Sequence, residues 1–184
     1  SKELNIHPAV VSILLRRGLK DASEISRFLN PPLESLQSPF IFQDMQKAVD
    51  RIRLAIDRRE KILIYGDYDV DGITGSAILY PILRKMGAEV QAHIPHRMNE
   101  GYGLNLATLA NFIKQKIGLV ITVDNGITGA EAIVFLNENK VDVIIVDHHL
   151  PKGQAPRAFA IVSAAVGDQK GDANLAACGL AFKL

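Results

Sequence analysis

The sequence predicts an α/β fold, a parallel sheet flanked by helices and preceded by a short helical lead-in. Short β-branched runs at 62–65, 90–94, 119–123 and 141–146 are each followed by a Gly- or Asp-bearing turn and then a helical pattern. Four such β-then-α units are the signature of a parallel sheet wrapped by helices. The runs read as continuously apolar, as strands do when both faces of a sheet are covered. Helix breakers cluster from Asn30-Pro31-Pro32 to Pro39 and separate this texture from what precedes it.

Residues 1–40 form the lead-in. Ile13, Leu14 and Leu15 with Leu19 predict one short helix ending near Gly18. Ser23 as a cap, followed by Ile25, Phe28 and Leu29, predicts a second, stopped by Asn30 before the proline pair. Residues 41–184 form the main domain. Behind Asp44, the residues Met45, Ala48, Val49, Ile52, Ala55 and Ile56 recur at helical spacing, an amphipathic helix. The four units follow, then a strand at 159–162 and a closing helix over 176–184. Arg16, Arg17, Arg51, Arg53, Arg58 and Arg59 read equally as solvated helix faces or as a track for a nucleic-acid strand.

With 48% hydrophobic and 22% charged residues and a formal net charge of +1, the 184-residue chain is neither disordered nor collagen-like. Near-zero charge also argues against coating a polyanion in bulk, so nucleic-acid binding must be local and metal-assisted. No apolar run approaches the ~18 residues of a membrane span, and no basic-then-apolar leader opens the chain. A soluble, cytoplasmic protein without a membrane is expected, and the lone Cys178 fits a reducing compartment. The chain opens without a methionine and closes at Phe182-Lys183-Leu184 without a cap or polar tail, which reads as a C-terminally incomplete domain.

In doubly covered parallel sheets ligands bind at the carboxyl ends of the strands. After the first run comes Gly66-Asp67-Tyr68-Asp69-Val70-Asp71-Gly72, after the third Asp124-Asn125-Gly126, and after the fourth Asp147-His148-His149. Any one of these acids alone reads equally well as a helix cap or turn former. As a set they converge Asp and His on one rim, and like charges a few ångström apart repel strongly unless a cation neutralises them. Carboxylates with imidazole and no thiolate suit Mn²⁺ or Mg²⁺ better than structural zinc. Enough donors are present for two ions, and paired ions suit in-line phosphoryl displacement. The residues therefore point to a metal-dependent phosphoesterase. No Gly-rich loop ending in Gly-Lys-Ser/Thr, no Gly-x-Gly-x-x-Gly and no Gly-x-Ser-x-Gly elbow occurs, so nucleoside triphosphates, dinucleotides and serine-hydrolase chemistry are unsupported.

The second run leads into Ile94-Pro95-His96-Arg97-Met98-Asn99-Glu100-Gly101-Tyr102-Gly103-Leu104. Arg97 can fork onto a phosphate, and Tyr102 between two glycines can approach a base or sugar closely. The same stretch also reads as an ordinary solvated turn. His7 and His93 have no chemical neighbours in the sequence and are assigned to the scaffold.

With GDYDVDG at 66–72, DNGI at 124–127 and Asp147-His148-His149 in order on successive strands, the chain resembles the DHH phosphoesterase superfamily. Within it, ILIYGDYDVDGITGSAIL, IPHRMNEGYGL, ITVDNGI and VDHHLP resemble the RecJ-type exonucleases, and HPAVVSILLRRGL, FLNPPLESL and SPFIFQDMQKAV resemble their N-terminal region. The resemblance implies a metal-dependent exonuclease that hydrolyses single-stranded DNA from 5′ to 3′ in DNA repair and recombination, with two Mn²⁺ or Mg²⁺ ions. It implies metal ligation by Asp69 and Asp71 with Asp67 in support, a bridging Asp124, and His148 as a further ligand. His149 and Arg97 would serve the reacting phosphate, while Gly101, Tyr102, Gly103 and Asn125 would belong to the strand-binding surface.

Three departures stand out. Some members carry a histidine where this chain has Tyr65, and after residue 162 they read Asn-Pro where it has Ser163-Ala164 and a polar stretch over 166–172. Beyond the closing helix the family supplies one more metal-binding aspartate and a second domain, and neither falls within these residues. Two other readings keep the same motifs: a phosphoesterase for short oligonucleotides or cyclic dinucleotides, and a truncated, inactive paralogue that binds nucleic acid or protein.

Overall fold

The computed structural model describes residues 4–167 and 175–184; of the polar stretch 166–172, positions 168–172 lie outside the described residues. The chain divides into two compact units between Ser38 and Pro39.

The first unit holds α1 (Pro8–Arg16) and α2 (Ala22–Leu29). His7 is a scaffold residue as expected: its Nδ1 accepts the Ala9 amide and so caps α1, with Pro8 pre-set for the first helical position. The cap of α2 is Asp21 rather than the expected Ser23, which lies inside the helix. The Asp21 carboxylate accepts the Glu24 amide at 2.8 Å while the Glu24 carboxylate returns to the Lys20 amide at 2.6 Å. This reciprocal pair satisfies two otherwise orphaned donors, which a serine two positions later cannot do.

In the second unit α3 (Met45–Asp57) precedes β1 (Lys61–Tyr65), α4 (Val70–Lys85), β2 (Glu89–His93), α5 (Leu106–Lys114), β3 (Ile117–Val123), α6 (Ala130–Glu138), β4 (Asp142–Asp147), β5 (Ala160–Ser163) and α7 (Ala177–Lys183). All strand pairs are parallel, in the order β2-β1-β3-β4-β5. Alternation along each strand sends Ile62, Ile64, Ile121 and Val146 to the face covered by Ala48 and Ile52 of α3, Leu79 of α4 and Leu180 of α7. Leu63, Tyr65, Val120 and Ile145 go to the other face, against Leu109 of α5 and Ile133 of α6. The sheet is therefore sandwiched between helices on both sides. Among the described residues no helix is long and apolar enough to cross a membrane.

The continuous apolarity expected of the strands fails at β2, whose sequence EVQAH exposes Glu89 and Ala92. It is one of the two edge strands, bonded to β1 alone, and is partly open to solvent. Asp44, just before α3, makes no side-chain cap bond to that helix; its carboxylate accepts the Ile161 amide at 2.9 Å and ties the helix start to β5.

Arg51 is neither a solvated helix residue nor part of a strand track. Only 7% exposed, it projects from α3 onto the amino ends of the sheet, with Nε 2.6 Å from Asp142 and Nη2 2.6 Å from Glu60 and 3.3 Å from the Gly118 carbonyl. One guanidinium thereby joins α3 to the starts of β1, β3 and β4. Truncating one partner of such a pair leaves uncompensated charge behind, discounted here because Asp142 is 44% exposed. Arg51→Ala is expected to cost about 2 kcal/mol in urea unfolding, whereas Arg53→Ala on the exposed face of the same helix should shift stability by less than about 0.5 kcal/mol.

Candidate metal centre

The chain leaves β1 to lay β2 on one side of it and then crosses to lay β3 on the other. This reversal opens a crevice at the carboxyl ends of β1 and β3, where Tyr65 lies level with His93 and Thr122. The loop after β1 turns directly into α4. Asp69 caps that helix, its Oδ1 accepting the amides of Asp71 and Gly72. A Cβ on Gly72 would strike the backbone of Asp67, so only glycine lets the first turn of α4 close against the loop. The spacing of GDYDVDG is thus a capping geometry as well as a charge cluster.

After β3, Asp124 takes a left-handed φ of 63° that Asp tolerates better than most residues, and its amide donates to the Val146 carbonyl at 2.9 Å. After β4, Asp147 is buried and fully used: Oδ2 accepts the Ile127 amide at 3.0 Å, while Oδ1 accepts the His149 amide and lies 2.7 Å from His149 Nδ1. Asp147 therefore fixes the ring of His149 and leaves Nε2 pointing elsewhere.

Two groups of donors result. One ligand atom each from Asp67, Asp69 and Asp124 lie within 4.8 Å of one another, and the same holds for Asp124, His148 and His149. Asp124 belongs to both. Its Oδ1 and that of Asp67 are buried without a hydrogen-bond partner, although His148 Nε2 approaches the former to 3.4 Å. Burial first, then Asp69, Asp71 and Asp147, push the Asp124 carboxyl up to about 8. Asp67 is raised as well, by burial and by the charge of Asp69. Unpartnered anionic oxygens beside two imidazoles, with no thiolate in either group, fit a hard divalent cation such as Mn²⁺ or Mg²⁺.

The structure brings together Asp67, Asp69, Asp124, His148 and His149 as expected. Asp71 lies just outside both groups: its oxygens accept the Ala177 and Cys178 amides at 2.8 and 2.7 Å, and Oδ2 is 3.5 Å from His148 Nε2. Burial alone would raise this carboxyl, but those amides and the Cys178 thiol outweigh it and hold it below its usual value. Arg97 stacks over the Tyr68 ring at 5.4 Å, and the half-exposed Tyr102 ring meets His149 edge-on at 6.2 Å and Tyr68 at 6.4 Å. Gly101 and Gly103 flank it in left-handed conformations. Asn125 differs from expectation. At 1% exposure it is no surface group, and its amide nitrogen stitches the carbonyls of Tyr65 and Val123 together. Tyr65 is a core residue whose hydroxyl accepts the Asn105 amide at 3.2 Å. The role of Asp147 in orienting His149 was not foreseen, although its place one residue before a His pair at a strand end was the available signal.

The DHH family, N-terminal domain, matches residues 61–184. The chain belongs to the DHH family. It is 39% identical over 185 aligned residues to the single-stranded-DNA-specific exonuclease RecJ of Bacillus subtilis, covering 100% of this chain and 24% of the relative. It is 33% identical to the enzyme of the same description from Haemophilus influenzae, over 96% of this chain and 29% of that one. A crystal structure of exonuclease RecJ bound to manganese superimposes with a TM-score of 0.74 at 33% identity, over 80% of this chain and 38% of the other. Thermus thermophilus RecJ in complex with Mn²⁺ gives 0.68 at 32% identity, over 84% of this chain and 21% of that one. This DHH chain thus spans about a quarter of the length of the curated relatives it matches.

A carboxyl that ionises only near pH 8 when folded costs the metal-free protein stability as pH rises from about 4, the usual Asp value, to about 8. Asp124→Asn is therefore expected to raise the metal-free melting temperature at pH 8 by about 2–4 °C and to change it little at pH 5. The same variant should lose most of the Mn²⁺-induced rise seen in the parent, as read by differential scanning calorimetry with and without the ion.

Proposed function

We propose that this chain carries the metal-binding domain of a RecJ-type exonuclease, which hydrolyses phosphodiester bonds of single-stranded DNA from 5′ to 3′ and acts in the cytoplasm in repair and recombination. The observation that carries the reading is the pair of donor groups sharing buried Asp124 at the crevice between β1 and β3. The RecJ relatives and their manganese-bound structures support it.

Asp67, Asp69 and Asp124 would hold one ion, and Asp124, His148 and His149 the second, with Asp71 completing the latter side through its approach to His148. Divalent ions held by these residues would supply Lewis-acid charge neutralisation and a more acidic water for phosphodiester hydrolysis. The chain's own residues then set where the phosphate lies. Asp147 engages His149 Nδ1, so Nε2 would be the atom offered to an ion or to a non-bridging oxygen. Arg97, stacked on Tyr68, presents its fork to a phosphate, and Tyr102 offers an exposed face for a base or sugar beside His149. Arg97, Tyr68 and Tyr102 would then meet the strand beside the buried Asp67 and Asp124, with the exposed Asp69 between protein and solvent.

The test incubates the chain with 5′-labelled and 3′-labelled single-stranded DNA in Mn²⁺, beside duplex DNA and the Asp69→Ala variant. Mononucleotides released from the 5′ end of single strands, reduced at least about a hundredfold by Asp69→Ala, are expected. Cleavage confined to short oligonucleotides or cyclic dinucleotides would replace the substrate, and Mn²⁺ binding without turnover would replace catalysis with a binding role.

A further inference from the structure

Between β2 and α5 the chain carries Arg97 and Tyr102 on a segment that neither strand nor helix fixes. The residue joining its two halves is Glu100, for which the proposed chemistry has no use. Its carboxylate is 17% exposed and saturated with donors. Oε2 accepts the His96 amide at 2.7 Å, closing the turn that contains Arg97. Oε1 accepts the Thr108 hydroxyl at 2.6 Å, which anchors the turn to α5, and lies 2.9 Å from His93 Nε2 at the end of β2.

The surroundings make this arrangement rigid. The His93 ring is packed between Tyr65 and Phe112, with centroids 5.0 and 5.4 Å away. The Glu100 carbonyl accepts the Asn105 side chain, and Asn105 in turn caps α5 and donates its amide to the Tyr65 hydroxyl. Burial disfavours the Glu100 charge, yet its three donors outweigh that and hold the carboxyl down at about 2. Directly after it, Gly101 and Gly103 are left-handed at φ 77° and 83° with open space around both, so conformation and not crowding demands glycine there. A chain this permissive on either side of Tyr102 needs a fixed point next to it.

We propose that Glu100 is a positioning residue of the substrate site: its carboxylate clamps the 96–104 segment to β2 and α5, and so sets Arg97 and Tyr102 at the distance from His149 that a DNA strand requires. The inference rests on the nuclease reading for its substrate, but the clamp itself does not. Glu100→Gln keeps the size of the side chain but removes its charge, and it holds the segment only if the Thr108 hydroxyl and the His93 ring reverse into acceptors of its NH₂, so the charge-assisted contacts are lost. Thr108→Val removes one anchor and leaves the carboxylate in place.

The experiment measures hydrogen exchange over the whole chain, Mn²⁺ affinity by calorimetry, and the affinity for 5′-phosphorylated single-stranded DNA by fluorescence anisotropy. The chains compared are the parent, Glu100→Gln, Thr108→Val, Arg97→Ala with Tyr102→Ala, and that last pair combined with Glu100→Gln. Expected for Glu100→Gln are faster exchange confined to 96–104, unchanged Mn²⁺ affinity and about tenfold weaker DNA binding, with a smaller effect of the same pattern for Thr108→Val. In the background lacking Arg97 and Tyr102 side chains the Glu100→Gln penalty should vanish, since a residue acting only through those two has nothing left to position. An equal penalty in that background, a general loss of protection, or no change at all would overturn the proposal. A parent chain that binds no single-stranded DNA would instead sink the nuclease reading, and exchange over 96–104 would then decide alone whether Glu100 is the clamp.

Discussion

Negative charge gathered at one point is the constraint on which the rest of this structure depends. Asp67, Asp69, Asp71, Asp124 and Asp147 all arise at the carboxyl ends of β1, β3 and β4, and a folded chain brings them together against their mutual repulsion. The scaffold offsets this by using each carboxylate locally. Asp69 caps α4, Asp71 receives the first amides of α7, and Asp147 receives two amides and a ring nitrogen. Among these acids, Asp67 and Asp124 each keep a buried oxygen with no hydrogen-bond partner. The unpaired charge is therefore concentrated where a cation would sit, and the remaining acids serve as its frame.

That frame needs a stiff sheet beneath it. Helices on both faces bury the strands, and Arg51 fastens α3 across the opposite rim, so the two ends of the strands carry complementary arrangements. At one end the Arg51 guanidinium lies between Glu60 and Asp142 and holds elements together; at the other, Asp67, Asp69 and Asp124 converge on one another. Close approach is secured at Gly72, where the helix start and the Asp67 backbone leave no room for a side chain.

The sheet, its flanking helices and the rim on which the ligands stand were legible because period-2 and period-3.6 patterns and strand-end turns are local signals. Asp67, Asp69, Asp124, His148 and His149 were legible for the same reason, each being tied to a strand end. The cap of α2 was a local signal, the Asp21 and Glu24 pair, that the nearby Ser23 obscured. Other contacts were concealed because they are long-range, as where Asp44 spends its carboxylate on a strand more than a hundred positions away. Asn125 looks like a polar loop residue until the packing of β1 against β3 turns it inward. Glu100 gave no signal at all, because its three donors come from β2, its own turn and α5. The edge position of β2 is legible in Glu89, Gln91 and His93, polar residues that a strand covered on both faces would not carry.

The bond between Asp71 and α7 bears on the order in which the molecule can mature. The loop after β1 emerges early in synthesis, whereas the amides that receive Asp71 belong to Ala177 and Cys178, more than a hundred residues later. Until that late segment has left the ribosome, the nascent domain holds a cluster of acids with one of its chief neutralising contacts still unmade. A nascent chain that ends before Cys178 would leave Asp71 without those two amides, so the acidic rim takes this form only after α7 has been made.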